Sequence, residues 1–230
     1  MTLFYVDAAN VNWGPQQDPD EVTGFLAGAV SEGIVGVAYK VTQGSGFKDW
    51  AWPAVQDWCT QNHLPLIGYH YLDLSDPAGQ AENYVSSNGT KNVMFDWEGN
   101  PEDPDNFGGG LANFWSCVQA FNNRGINIQL GYCPRWYLEG PGSGDGTDIS
   151  NFAANGILLI SSGYPDGYNQ DLASNIYARG GGDSGEGWTS YDGATPAAWQ
   201  FTSVAQVSGH VVDCNAYLGD NITDLFGVAS

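Results

Sequence analysis

Hydrophobic and polar positions along the chain fall into short apolar, β-branched or aromatic runs separated by stretches with helical spacing. Strands are expected over residues 3–7, 36–41, 66–71, 92–98, 128–132, 157–161, 198–201 and 211–215. This alternation is what a parallel sheet wrapped by helices produces, and eight strands suit a closed barrel, with an open doubly wound sheet as the alternative. Asp18-Pro19 and Asp76-Pro77 each put a capping carboxylate before a proline whose missing N–H costs nothing in a first helical turn. Leu111, Phe114, Trp115, Val118 and Phe121 recur at three- and four-residue spacing, which predicts a helix over 111–123 with Gly125 as its stop. A further helix is expected over 52–62, with Pro53 in its first turn.

After Tyr132 the helical signal fades. The stretches 140–146 and 180–187 are glycine-rich with acidic and serine interruptions and are expected to be surface loops. The β-α alternation thus holds for about five units and then gives way to strands joined by loops. No linker or repeat divides the chain, so residues 1–230 are expected to form a single α/β domain.

Composition narrows the partners. The chain carries 6 Lys+Arg against 26 Asp+Glu, a net charge of −20, yet only 14% of its residues are charged. The imbalance is a shortage of bases, and the lysines and arginines lie scattered singly, so neither nucleic acid nor an anionic membrane surface is an expected partner. A hydrophobic fraction of 42% and an aromatic fraction of 13% are enough for a sizeable core and exclude disorder. Met1 to Asp7 has neither a basic start nor a long apolar run and does not read as a signal peptide. Cys59, Cys117, Cys133 and Cys214 are too few and too irregularly spaced for a disulfide scaffold or a zinc site, so free thiols and no metal are expected. No G-x-G-x-x-G, Walker loop, H-E-x-x-H or G-x-S-x-G occurs, which removes the usual marks of dinucleotide, phosphate, zinc-protease and serine-hydrolase chemistry.

The chemistry lies in carboxylates at strand ends. Asp96 and Glu98 stand two residues apart at the end of an apolar run, so alternation puts both on one face, with backbones about 6–7 Å apart. Such pairs suit glycoside hydrolysis, in which a neutral acid protonates the leaving oxygen and an ionised partner stabilises or attacks the cationic centre. Asp7 ends the first strand and Asp213 lies in the last, and first and last strands are neighbours in a closed barrel. All four acids are therefore expected at one mouth, where mutual repulsion raises the pKa of at least one. Tyr69, His70, Tyr71, Tyr132, Trp136 and Trp199 fall near strand ends as candidate sugar contacts, as does Lys40.

Taken together, Phe4-Tyr5-Val6-Asp7, Ala38 to Gly44, Ile67-Gly68-Tyr69-His70-Tyr71, Phe95-Asp96-Trp97-Glu98, Gly131-Tyr132 and the stretches Trp199 to Ser203 and Gly209 to Asn215 resemble the lysozymes of glycoside hydrolase family 25. The resemblance implies a single flattened TIM-like β/α barrel, with five β/α units followed by three strands. It implies hydrolysis of the β-1,4 bond between N-acetylmuramic acid and N-acetylglucosamine in peptidoglycan, by a monomer needing no cofactor. Glu98 would be the general acid and Asp96 its partner, Asp7 and Asp213 would complete the acidic cleft, and Tyr71, Tyr132 and Trp199 would touch sugar. A bacteriophage endolysin, made in the host cytoplasm and released onto the cell wall, fits the family and the missing signal peptide. The sequence departs from the family where Ala8-Ala9-Asn10 follows Asp7 and where Cys214 replaces a common leucine.

Two alternatives remain open, a catalytically silent glycan-binding barrel and a chitinase-like hydrolase, although the acidic strand around Asp96 lacks the longer chitinase pattern. Bacterial walls are anionic, so a chain of charge −20 gains no long-range attraction to them. Added salt is therefore expected to aid lysis of whole cells, and turbidity assays across a salt series check this.

Overall fold

The computed structural model describes residues 1–100, 102–140 and 147–228. In chain order the strands are β1 (Leu3–Ala8), β2 (Ile34–Gln43), β3 (Phe47–Lys48), β4 (Leu66–Tyr71), β5 (Asn92–Asp96), β6 (Asn127–Tyr132), β7 (Leu158–Ser162), β8 (Asp171–Leu172), β9 (Pro196–Val207) and β10 (His210–Tyr217). The helices are α1 (Pro19–Ser31), α2 (Trp52–Asn62), α3 (Pro77–Ser86), α4 (Leu111–Asn122), α5 (Arg135–Leu138), α6 (Ala173–Arg179) and α7 (Ile222–Phe226). Asp18 and Asp76 cap α1 and α3 as expected, accepting from the backbone N–H of Asp20 and of Gly79, each at 2.9 Å. No helix of the described residues is long and apolar enough to cross a membrane.

Eight strands close into a barrel in the order β1-β2-β4-β5-β6-β7-β9-β10, and β10 returns to β1. Pairings from β1 round to β9 are parallel, whereas β10 runs antiparallel to both neighbours. The sheet is therefore closed, which decides against the open doubly wound alternative. Short β3 and β8 lie outside the ring, on β2 and β9. The helices shrink along the chain, as the fading periodicity predicts, α5 having 4 residues and α6 having 7.

Strand alternation divides the core in two. Tyr5, Ala38, Ile67, Met94, Leu130, Ile160 and Ala198 point into the barrel, and Val6, Val37, Val93, Phe95, Trp199 and Phe201 point out into the layer beneath the helices. The base of the barrel is closed by α7, a helix without a strong sequence signal. Its Ile222, Leu225 and Phe226 join the inner cluster, and the Phe226 ring meets Tyr5 edge-on at 5.3 Å. The amides of Asn92 and Gln129 hold the helix in place by donating to the carbonyls of Phe226 and Leu225 at 3.2 and 3.1 Å.

Two expectations about loops need correction or fall away. The stretch 180–187 is not simply a polar surface loop, because Gly185 and Gly187 are buried. Their backbones lie flat on the Trp199 indole, where a Cβ would come within 2.6 and 2.2 Å of the ring. Glycine is required there by close approach rather than by solvent. Of the other loop, residues 141–146 lie outside the described residues. The four cysteines are buried and free.

Phe226→Ala is expected to open the barrel base and cost about 3–5 kcal/mol of unfolding free energy. Equilibrium denaturation with urea measures it.

Candidate active site

One end of the barrel holds a cavity of about 390 Å3 lined by all four acids singled out in the sequence, Asp7, Asp96, Glu98 and Asp213. Each arrives by a different local device. Asp7 shares the inward parity of Tyr5 at the upper end of β1. Asp96 closes β5, and Glu98 lies beyond the strand, which ends two residues earlier than expected. Glu98 stays on the cavity side because the following segment folds back, with the Gly108 N–H donating to the Glu98 carbonyl at 2.9 Å.

Asp213 reaches the same rim because β10 is antiparallel, which puts its early residues level with the late residues of β1. Asp7 and Asp213 are register partners, so their Cα atoms lie about 4.5–5.5 Å apart. On its other side β10 has a register shift between Val212 and Cys214, opposite β9. Bulges of this kind re-aim a side chain and bend the strand. Beyond the shift the β9–β10 hairpin lies over α1, where His210 packs on Trp13 and Phe25, each at 5.4 Å.

A hydrogen-bond hub organises the floor. The Gln200 side-chain amide donates to Asp7 Oδ2 at 2.8 Å and to Asp213 Oδ2 at 3.4 Å. Its Oε1 accepts from the hydroxyls of Tyr132 at 2.9 Å and Tyr164 at 2.5 Å. Asn215 adds a second donor to Asp7 Oδ2 at 3.1 Å. Asp96 is 8% exposed, and its buried Oδ1 has no hydrogen-bond partner. Among the described residues lining the cavity Lys40 is the one cation, its Nζ 5.0 Å from the Tyr71 ring centroid and 5.6 Å from that of Tyr69.

Burial beside like charges holds every acid above its ordinary value. Desolvation is the largest cause for each. Glu98 is pushed up to about 7 by burial and then by Asp213 and Asp7, with Lys40 opposing. Asp96 is raised by burial, Glu98 and Asp7, and Asp213 by burial, Asp7 and Asp96. Asp7 is raised by burial, against which Asn215, Gln200 and Lys40 favour its ionised form. The site can therefore hold a protonated carboxyl near neutral pH alongside acids in a different state.

Of the sugar-contact candidates, Tyr69, Tyr71, Tyr132 and Lys40 line the cavity, and so does Trp136, which is 58% exposed. His70 and Trp199 do not, and that expectation is corrected by strand parity. His70 alternates with the inward Tyr69 and Tyr71, so it points out between β4 and α3, fully buried. Its Nε2 bonds Gln80 Oε1 at 2.9 Å and its Nδ1 bonds Thr42 Oγ1 at 2.7 Å. Gln80 uses its amide nitrogen on the carbonyls of Asp73 and Ser75, so Oε1 is the acceptor and the His70 proton sits on Nε2. Burial lowers the His70 pKa to about 4, which keeps the ring neutral. Trp199, one residue before the inward Gln200, is buried among Tyr177, Trp188 and Phe201, and its indole donates to the Gly163 carbonyl at 2.9 Å.

Sequence reasoning passed over Tyr164 and Tyr168, which line the cavity from an irregular segment with no periodicity to mark it. That segment is tied down by Arg179, whose guanidinium bonds Asp166 Oδ2 and Asp171 Oδ2, each at 2.6 Å. Among the described residues no group of three or more His, Cys, Asp or Glu side chains is disposed to hold a metal ion.

No protein-family profile and no curated protein matches this sequence. Solved structures do. A family GH25 lysozyme from Aspergillus fumigatus superposes with a TM-score of 0.64 at 20% identity, covering 100% of both chains. The chain has the fold of a family GH25 lysozyme. A muramidase from Trichobolus zukalii gives a TM-score of 0.67 at 16% identity, covering 97% of each chain. The catalytic domain of an endolysin from a Listeria monocytogenes bacteriophage gives 0.63 at 14% identity, covering 99% of this chain and 98% of that one. The lysozyme barrel expected from the sequence motifs is thus the fold observed.

Because the clustered carboxyls hold protons that an unfolded chain has released, their contribution to stability is lost as pH rises from about 4 through 7. Asp213→Asn is expected to stabilise the fold by on the order of 1 kcal/mol, roughly 2–4 °C in Tm, at pH 8 and by less at pH 4.5. It is also expected to move Glu98 below about 7, since Asp213 is the stronger of the two carboxylates acting on it. Calorimetry at both pH values and 13C NMR titration of the carboxyls read the two effects.

Proposed function

We propose that this chain is a muramidase, cleaving the β-1,4 bond between N-acetylmuramic acid and N-acetylglucosamine in peptidoglycan with Glu98 as general acid. The observation that carries this is the convergence of Asp7, Asp96, Glu98 and Asp213 on one cavity. The lysozyme and muramidase titles of the structures sharing the fold support it. Glu98, half-buried and raised to about 7, is suited to give its proton to the departing glycosidic oxygen. As that bond lengthens, positive charge grows on the anomeric carbon, and an ionised carboxylate of the cluster stabilises it. Gln200 and Asn215 fix Asp7 for this purpose, and Tyr132 and Tyr164 fix Gln200. The cationic carbon is taken up either by a carboxylate of the cluster or by the substrate's own acetamido oxygen, and the stereochemistry of the product distinguishes these routes.

The same proposal extends to the catalytic domain of a phage endolysin, acting on the host wall as a monomer, in keeping with the endolysin domain among the structures of this fold. Glu98→Gln is expected to reduce turnover of purified cell walls by at least about 10³-fold while fragments still bind, whereas a glycan-binding barrel would lose little. Mass spectrometry of the digests is expected to find new reducing ends on muramic acid. New ends on glucosamine, or none, would refute the assignment. In the wild type kcat/KM is expected to fall above about pH 7, as Glu98 loses the proton it must donate.

A further inference from the structure

Beside the four-acid cavity, at the same end of the barrel, lies a smaller hollow of about 230 Å3 lined by Arg135, Ser161, Ser162, Gly163, Glu186 and Gly187. Two of these are chain neighbours of cavity residues, since Arg135 precedes Trp136 and Gly163 precedes Tyr164. Trp199 fixes the floor. Its indole donates to the Gly163 carbonyl at 2.9 Å, Gly187 lies against the ring, and Ser161 Oγ donates to the Gly187 carbonyl at 2.6 Å. With those carbonyls occupied, the charged groups that line the hollow are the Arg135 guanidinium and the exposed Glu186 carboxylate.

Arg135 is set apart from the other two arginines. Arg124 pairs with Glu82 at 2.5 Å, and Arg179 with Asp166 and Asp171 at 2.6 Å. Among the described residues the one ion pair of Arg135 is with Glu139 at 4.0 Å, beyond hydrogen-bond reach. Its guanidinium is held instead by a bond to the Thr189 carbonyl at 3.1 Å and by the face of Tyr191, 4.8 Å from the ring centroid. A planar fork of donors, fixed in place with most of them unspent, is shaped to take a carboxylate in a bidentate pair. The chain has 26 acids to choose from and leaves this arginine without a close one.

We propose that this hollow binds the charged head of an amino acid, with its carboxylate on Arg135 and its ammonium on Glu186, and that the head belongs to the peptide stem of peptidoglycan. The proposal rests on the chain being a muramidase. Muramic acid carries its peptide on a lactyl side group, so a muramic acid ring in the four-acid cavity sends that peptide out across the rim. Two or three extended residues reach about 7–11 Å, enough to pass one side chain such as Trp136. Having both charges in one hollow selects a zwitterionic head over a simple anion. A phosphate of a wall polymer would suit Arg135 but be repelled by Glu186.

The test measures kcat/KM on two tetrasaccharides of alternating N-acetylglucosamine and N-acetylmuramic acid. One has no peptide, and the other carries L-alanyl-D-isoglutamyl-meso-diaminopimelate, whose free end is a carboxylate beside an ammonium. Wild type is expected to favour the peptide-bearing substrate about tenfold. Arg135→Gln is expected to bring that preference to within about twofold of unity, and Glu186→Gln to lower it about threefold with Tm unchanged. Acetylating the free amine of the stem is expected to reproduce the threefold loss on wild type and to have no further effect on Glu186→Gln, which a merely structural role for Glu186 would not produce. A wild-type preference below about twofold, or one that both variants keep in full, overturns the assignment while leaving the muramidase proposal intact. Wild-type protein that cleaves neither tetrasaccharide overturns both.

Discussion

Carboxyl groups taken out of water beside one another resist losing their protons, and the mouth of this barrel is organised around that resistance. Asp7, Asp96, Glu98 and Asp213 share one cavity with a single lysine, and each is held above its ordinary pKa. The barrel tolerates this because the sheet beneath is anchored twice, by side chains that fill its interior and by α7, which seals its base. Asp7 accepts from both Gln200 and Asn215, whereas Asp213 accepts a longer bond from Gln200, so the acids are not equivalent. That inequivalence separates a group that gives a proton from groups that carry negative charge.

Antiparallel β10 is the topological step that makes the cluster possible. A final parallel strand would carry Asp213, near its start, to the base of the barrel. Reversed, the strand sets Asp213 opposite Asp7, and the bulge alongside turns the rest of the hairpin away over α1. The same reversal places Asn215 one inward position below Asp213, within reach of Asp7.

Much of this was legible in the sequence. Proline after a capping aspartate marked α1 and α3, the three- and four-residue spacing marked α4, and period-two alternation put Asp96 and Glu98 on one face. The same alternation also separates Tyr71 from His70 and Gln200 from Trp199, but a pattern of two says only that neighbours face opposite ways. In β4 and β9 both faces carry apolar or aromatic residues, so the inward one became evident only from the pairing of strands. Residues that act through backbone proximity were harder still. Gly187 reads as a loop residue and is a bearing surface for Trp199, and Tyr164 and Tyr168 sit in a segment with no repeat.

The pairing of β1 with β10 has a bearing on how the molecule comes into being. Leu3 meets Tyr217 and Asp7 meets Asp213, partners separated by more than 200 positions. During synthesis β1 can dock on β2 early, but its other edge stays bare until β10 has emerged, and so long a closure is slow. Until that last strand arrives, Glu98 lacks the carboxylate that acts on it most strongly, and the burial that is the larger cause of its raised pKa awaits closure of the barrel.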